Sequence, residues 1–261
     1  GRYRVKTEAK TYQAKNVVIA TGSFQKPKIP AFSANIPADV LQLHSGKYRN
    51  PRQLPDGAIL VVGSAQSGMQ IAEELYQSGR KVYLSTGFAP RAPRRYRGRD
   101  VFAWLVDAGF FEQTPDKLSS LKARFGANLQ LSGKDGGHNL NLHQFARDGV
   151  TLLGHIADAQ NGKVTFKPDL KAANITSIIW AMGYTFGYGL VKLPVTDEDS
   201  FPIQKRGVTQ YPGLYFVGIN WLSTRKSTLL LAGRERRCGV HCCGYDEINR
   251  EKFGKAWLCA G

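Results

Sequence analysis

Ala58 to Val62 (AILVV) runs straight into Gly63-Ser64-Ala65-Gln66-Ser67-Gly68. No other stretch narrows the folds open to this chain as much. A short apolar run ending in a glycine turn predicts a buried strand. Ala65, Met69, Ala72, Leu75 and Tyr76 then recur at steps of three and four, and Gly79 closes the helix they predict. Lys81 to Leu84 (KVYL) predicts the next strand. Strand, turn, helix and strand in under thirty residues form the unit of a parallel sheet. The predicted class is therefore α/β.

A strand feeding a glycine turn at a helix N-terminus offers free backbone N–H groups and a positive dipole end to a phosphate. Gly63 permits the tight turn and Gly68 close helix–strand packing. The middle glycine of G-x-G-x-x-G is replaced by Ala65. The alternative is a purely structural turn. An NAD site usually places Asp or Glu about 20 residues past the first glycine. Here that place reads Leu84-Ser85-Thr86-Gly87, followed by Arg91, Arg94, Arg95, Arg97 and Arg99. A hydroxyl with guanidinium groups suits a 2′-phosphate and favours NADPH, with Ser85, Arg94 and Arg95 as candidate contacts. A solvated arginine loop is the bland alternative.

Elsewhere the pattern predicts a hairpin over residues 1–12 and strands at 16–20, 150–153, 163–166, 177–181 and 213–217. It predicts helices at 101–111, 116–125, 141–148 and 168–173, and Pro-marked linkers at 25–37 and 50–57. Three strands end alike, at Thr21-Gly22, Gly183 and Gly218, where a backbone must come close to something.

Thirty-six basic residues against 20 acidic ones give a net charge of +16, which favours anionic partners without choosing among them. Only Tyr96 interleaves the arginines, a weak basis for a nucleic-acid-binding module. The four cysteines, Cys238, Cys242, Cys243 and Cys259, all lie near the end, so the body reads as cytoplasmic. The histidines form no metal pattern, and His44 lies in a linker. No apolar run approaches the roughly 18 residues needed to span a bilayer.

The ensemble VVIATGSFQKPKIP (17–30), LHSGKYRNP (43–51), ILVVGSAQSGMQIAEEL (59–75), PRRYRGRD (93–100), IIWAMGYTFGY (178–188) and GLYFVGINWLSTRKST (213–228) resembles the class B flavin monooxygenases. Within them it is most similar to bacterial flavoproteins linked to potassium transport. The resemblance implies a two-dinucleotide-binding architecture, with a Rossmann-like NADPH domain inserted in an incomplete FAD domain. It allots 1–55 and 173–233 to the FAD parts, 56–172 to the NADPH domain, and 234–261 to an aberrant tail. It implies Thr21, Gly22, Gly183 and Gly218 near FAD. It sets Gly63, Ser64, Ala65, Gln66, Ser67 and Gly68 at the NADP pyrophosphate. His44, Ser45 and Tyr48 match the HSxxY end of the monooxygenase fingerprint.

The family's first β–α–β unit, about one hundred residues with its own glycine motif, would precede residue 1. The chain after Ala232 departs from the family, and codons permitted there, read one base later, can spell the small residues that the resemblance implies, so a shifted reading frame is the expectation. The function implied is reduction of FAD by NADPH and oxygenation of a small organic substrate with O2, in a fragment expected to be inactive alone. The catalytic residues and oligomeric state stay open. The alternative enzyme is a pyridine-nucleotide–disulfide reductase, which needs a redox cysteine pair that the first 237 residues lack.

Overall fold

The computed structural model describes residues 2–87, 92–126, 131, 137–156, 159–160, 163–164 and 170–228. In chain order these form β1 (Tyr3–Lys6), β2 (Thr11–Ala14), β3 (Val17–Ile19), β4 (Lys26–Pro27), β5 (Leu41–His44), β6 (Ala58–Val62), α1 (Gln66–Gln77), β7 (Val82–Ser85), β8 (Arg95–Tyr96), β9 (Arg99–Asp100), α2 (Val101–Asp107), α3 (Leu142–Arg147), β10 (Thr151–Leu153), β11 (Ala159–Gln160), β12 (Lys163–Val164), β13 (Ile175–Trp180), β14 (Tyr184–Thr185) and β15 (Leu214–Phe216). The chain divides into two compact units. The four cysteines and the expected aberrant tail lie outside the described residues.

One unit comprises the described residues of Lys26–Leu105 and Gly126–Thr185. Its centre is a five-stranded sheet in the order β10-β7-β6-β13-β5, parallel throughout. All five residues of β6 are buried, as a central strand covered on both faces requires. Side chains alternate across a strand. Ile59 and Val61 join Met69, Ala72 and Leu75 of α1 and Phe145 of α3 on one face. Ala58, Leu60 and Val62 join Ile178, Trp180 and Ile36 on the other. α1 ends at Gly79, in the left-handed region at φ 83°, where its N–H reaches Tyr76 O and the Arg80 N–H reaches Leu75 O.

One sequence expectation changes here: His44, read as a linker residue, ends a strand of this sheet, Leu41–His44, which pairs with Ser177–Trp180. β13 pairs with β6 on its other side. Motifs group consecutive segments of chain, whereas parallel pairing joins strands far apart in sequence.

The other unit comprises the described residues of Gly1–Gln25, Val106–Phe125 and Phe186–Gly261. It holds the β1–β2 hairpin and a parallel pair, β3 with β15. Its core is largely aromatic: Tyr188, Phe201, Phe216 and Trp221 bury with Ile19, Leu214 and Ile219. The Arg124 guanidinium lies 4.2 Å from the Phe201 ring centre and donates to Asp197 Oδ2 at 2.6 Å. The helix expected over 116–125 is instead two 3-10 turns, Pro115–Lys117 and Leu121–Phe125. Leu118 is extended (φ −80°, ψ 147°) and interrupts the run. The helix expected over 101–111 stops at Asp107, because Gly109 turns left-handed at φ 65° before a 3-10 turn at Phe110–Glu112.

Among the described residues no helix is long and apolar enough to cross a membrane.

Candidate functional site

The turn from β6 into α1 is shaped by its own packing. Gly63 sits at φ 107°, and a Cβ there would lie 2.5 Å from Ala181 O. A Cβ on Gly68 would lie 1.8 Å from Gly63 O. Both positions therefore exclude any side chain. Ala65 is the N-cap residue, extended at φ −78° and ψ −172°, and supplies no side-chain cap. The first turn of α1 is left with backbone donors and the positive end of its dipole, and Ser67 is exposed beside them.

The polar side chains around this turn have other work. Ser64 is buried; its Oγ donates to Gly87 O at 3.3 Å and accepts the Gly87 N–H at 3.1 Å. Ser85 is also buried, and its Oγ donates to Gly154 O at 2.9 Å. Thr86 Oγ1 donates to Leu153 O at 2.9 Å. These hydroxyls knit together the C-terminal ends of β6, β7 and β10. Gln66 uses both ends of its amide on Leu131: Nε2 donates to the carbonyl oxygen, and Oε1 accepts the N–H at 2.9 Å. The sequence pattern sets Ser64, Gln66 and Ser85 beside the nucleotide. The structure shows them bracing the backbone there.

The arginines divide likewise. Arg94 Nε donates to Asp100 Oδ2 at 2.7 Å, and its guanidinium lies 5.1 Å from the Phe102 ring centre. Burial raises the Asp100 carboxyl, but the Phe102 N–H and Arg94 together hold it below the usual carboxylate range. Arg95 is exposed on β8. Arg97 lies over Tyr96 and Arg99 over Trp104, at 5.4 and 5.1 Å from the ring centres.

The HSxxY residues lie at the end of β5. His44 is buried; its Nδ1 accepts the Gly46 N–H at 3.1 Å, so Nε2 carries the proton and donates to Gly183 O at 2.9 Å. The Tyr184 ring packs edge-on, 4.7 Å away. Gly183, at φ 77°, also accepts the Lys28 N–H on its oxygen. Ser45 opens the short turn whose carbonyl accepts the Tyr48 N–H at 3.3 Å. Tyr48 is buried in the core, and its hydroxyl donates to Glu74 Oε2 at 3.0 Å. Burial, then Glu74, pushes its phenol far up. Tyr48 thus ties β5 to α1.

In the other unit, Gly22 and Gly218 end β3 and β15 in the left-handed region, at φ 68° and 71°. A Cβ on Gly22 would lie 3.9 Å from Gly218 O, and a Cβ on Gly218 would meet open space among the described residues. Thr21 Oγ1 accepts from Gln25 Nε2 at 2.6 Å. The Tyr188 hydroxyl donates to Gly22 O at 3.0 Å, and burial pushes that phenol up to about 12. Ser23 Oγ accepts the Asn220 N–H at 3.0 Å, while Asn220 Oδ1 is buried without a partner among the described residues. Nothing in the sequence pattern singles out Ser23, Tyr188 or Asn220. The neighbouring glycines at 22 and 218 are the available signal.

The family profile described as pyridine nucleotide-disulphide oxidoreductase matches residues 1–126. An "Uncharacterized oxidoreductase CzcO-like" of Geobacillus kaustophilus is 35% identical over 232 residues, covering 87% of this chain and 64% of its own length. A flavin-containing monooxygenase from Stenotrophomonas maltophilia superposes with TM-score 0.57 at 16% identity, covering 84% of this chain and 59% of that one. Together these matches support a flavin-containing-monooxygenase-like family for this chain. A second flavoprotein structure, OTEMO in complex with FAD and NADP, superposes with TM-score 0.52 at 10% identity, covering 84% of this chain and 58% of that one. Both likenesses are of fold: the two-dinucleotide-binding flavoprotein monooxygenase architecture. The chain spans just under two thirds of the length of its CzcO-like relative. That relative's name makes no reference to potassium transport.

Proposed function

We propose that this protein is an NADPH-dependent flavin monooxygenase, and that its nicotinamide dinucleotide rests on the turn from Gly63 to Gly68. The observation that carries this reading is the N-terminus of α1, which no side chain caps among the described residues, behind two glycines that tolerate no Cβ. The fit is chemical as well as spatial. A pyrophosphate needs backbone donors and positive potential, and the first turn of α1 supplies both. The end of β7 carries no carboxylate to repel a 2′-phosphate, and exposed Arg95 lies on the hairpin that follows. The side chains of Ser64, Gln66 and Ser85 hold the turn rigid, which leaves its backbone N–H groups to meet the ligand.

Gly22 and Gly218, with Ser23 and Asn220, are the residues we assign to FAD. A buried oxygen without a donor, Asn220 Oδ1, suits a ligand that brings one. When bound, FAD supplies the transfer of electrons from NADPH to O2 and of oxygen to a small organic substrate. Gly22 and Gly218 let the flavin approach the backbone, and Tyr188 fixes the Gly22 carbonyl. The matched profile favours a second reading, a pyridine-nucleotide–disulfide reductase. The absence of cysteine before Cys238 counts against it, and loss of NADPH oxidation after thiol blocking would revive it.

Ser67→Asp tests the nucleotide site. An acidic residue in the first turn suits the helix dipole, so the melting temperature should hold or rise. The same charge should repel the pyrophosphate and weaken NADPH binding at least about tenfold. An unchanged affinity in titration calorimetry would place the nucleotide elsewhere.

A further inference from the structure

A chain of contacts joins the glycine turn to the arginine hairpin. Gln66, at the start of α1, engages the Leu131 backbone through both ends of its amide. Leu131 pairs with Asn139 in an antiparallel bridge. Asn139 Oδ1 accepts the Arg94 N–H. Arg94 Nε reaches Asp100, and the Arg95–Asp100 pair then closes the β8–β9 hairpin. Gly137, at φ 90°, lies so close that a Cβ there would come 2.9 Å from Arg94 Nε. A second tie runs alongside, from buried Glu73 of α1 to His138 Nε2 at 2.6 Å. Gln66 and Glu73 are seven residues, about two turns, apart and so share a face of α1.

This arrangement gives Gln66 and Arg94 one joint role. We propose that Gln66 is a positioning residue for nucleotide choice: through Leu131 and Asn139 it fixes the arginine hairpin relative to the N-terminus of α1. The inference rests on the NADPH reading above. A phosphorylated dinucleotide has to meet the turn with its pyrophosphate and the arginines with its 2′-phosphate at once. Holding those two sites at a set separation removes the ordering cost of the second contact. NADH carries no 2′-phosphate and needs the turn alone. Breaking the chain of contacts should therefore weaken NADPH and leave NADH binding nearly unchanged.

The test is a double-mutant cycle on the full chain, reading dissociation constants for NADPH and NADH by titration calorimetry. Asn139 is exposed and touches the relay at its far end, so Asn139→Ala should melt like the parent and keep its NADH affinity. Its preference for NADPH over NADH should fall about tenfold, the weight of one charge-assisted phosphate contact. Gln66→Leu should lower the preference by a similar factor, and the double variant by no more than either single one. Additive losses, or a preference unchanged in Asn139→Ala, would overturn the relay while leaving the nucleotide site standing. A parent that binds neither nucleotide, or binds both equally, would overturn the NADPH reading and this inference with it. If Gln66→Leu does not fold, the exposed Asn139→Ala decides alone.

Discussion

The two units build their cores by different means. In the parallel-sheet unit, residues alternate across strands, so Ile59 and Val61 face one layer while Ala58, Leu60 and Val62 face the other. In the second unit, a two-stranded parallel pair carries rings supplied largely by loops: Phe186 against Phe201 at 5.5 Å, Tyr188 against Phe216 at 5.1 Å. Two candidate-site turns, one in each unit, also differ in how their glycines are packed. Gly63 and Gly68 are required because backbone lies where a Cβ would be, whereas Gly218 faces open space among the described residues. A glycine fixed by the chain's own packing shapes a turn. An uncrowded glycine either closes a helix, as Gly79 does, or leaves space beside a strand end, as Gly218 does.

Substituting one glycine from each unit should break this comparison if it is wrong. Gly68→Ala drives a Cβ against Gly63 O and should cost about 3 kcal/mol of stability despite the better helix propensity of alanine. Gly218→Ala meets no described atom, and its left-handed backbone should cost only about 1–2 kcal/mol. Chemical denaturation of both variants reads the difference directly. Equal costs would mean that Gly218 is packed as tightly as Gly68.

A smaller effect sharpens the second unit. Tyr188→Phe removes the hydrogen bond to Gly22 O and should cost about 1 kcal/mol at neutral pH. The Tyr188 phenol is raised from 10.0 to about 12, so its contribution is complete below pH 10 and is lost as pH rises through 12. The parent should lose stability over that window more steeply than Tyr188→Phe. Parallel pH profiles would show that the hydroxyl is not buried at Gly22.

The same contrast explains which features are legible in the sequence. β6, α1 and β7 are legible because apolar spacing and the Gly63–Gly68 turn are local signals. β5 is not: LQLH is four residues between proline-marked stretches, and only its pairing with β13 makes it a strand. Within the site, the glycines are legible and the duties of the polar side chains are not. Ser64, Ser85 and Gln66 bond to backbone 23, 69 and 65 residues away, and no local pattern carries such distances. His44 reads as a linker residue because its partner, Gly183, lies 139 residues further on.

NADPH on the uncapped start of α1 is the assignment from which the rest follows. Amide hydrogen exchange with and without saturating NADP+ tests it most directly, since both units are read in one experiment. Exchange should slow at Ala65, Gln66, Ser67 and Gly68, with Gly22, Ser23, Gly218 and Asn220 unchanged until FAD is added. Slowed exchange at Gly22 and Gly218 with NADP+ alone, and none from Ala65 to Gly68, would contradict it.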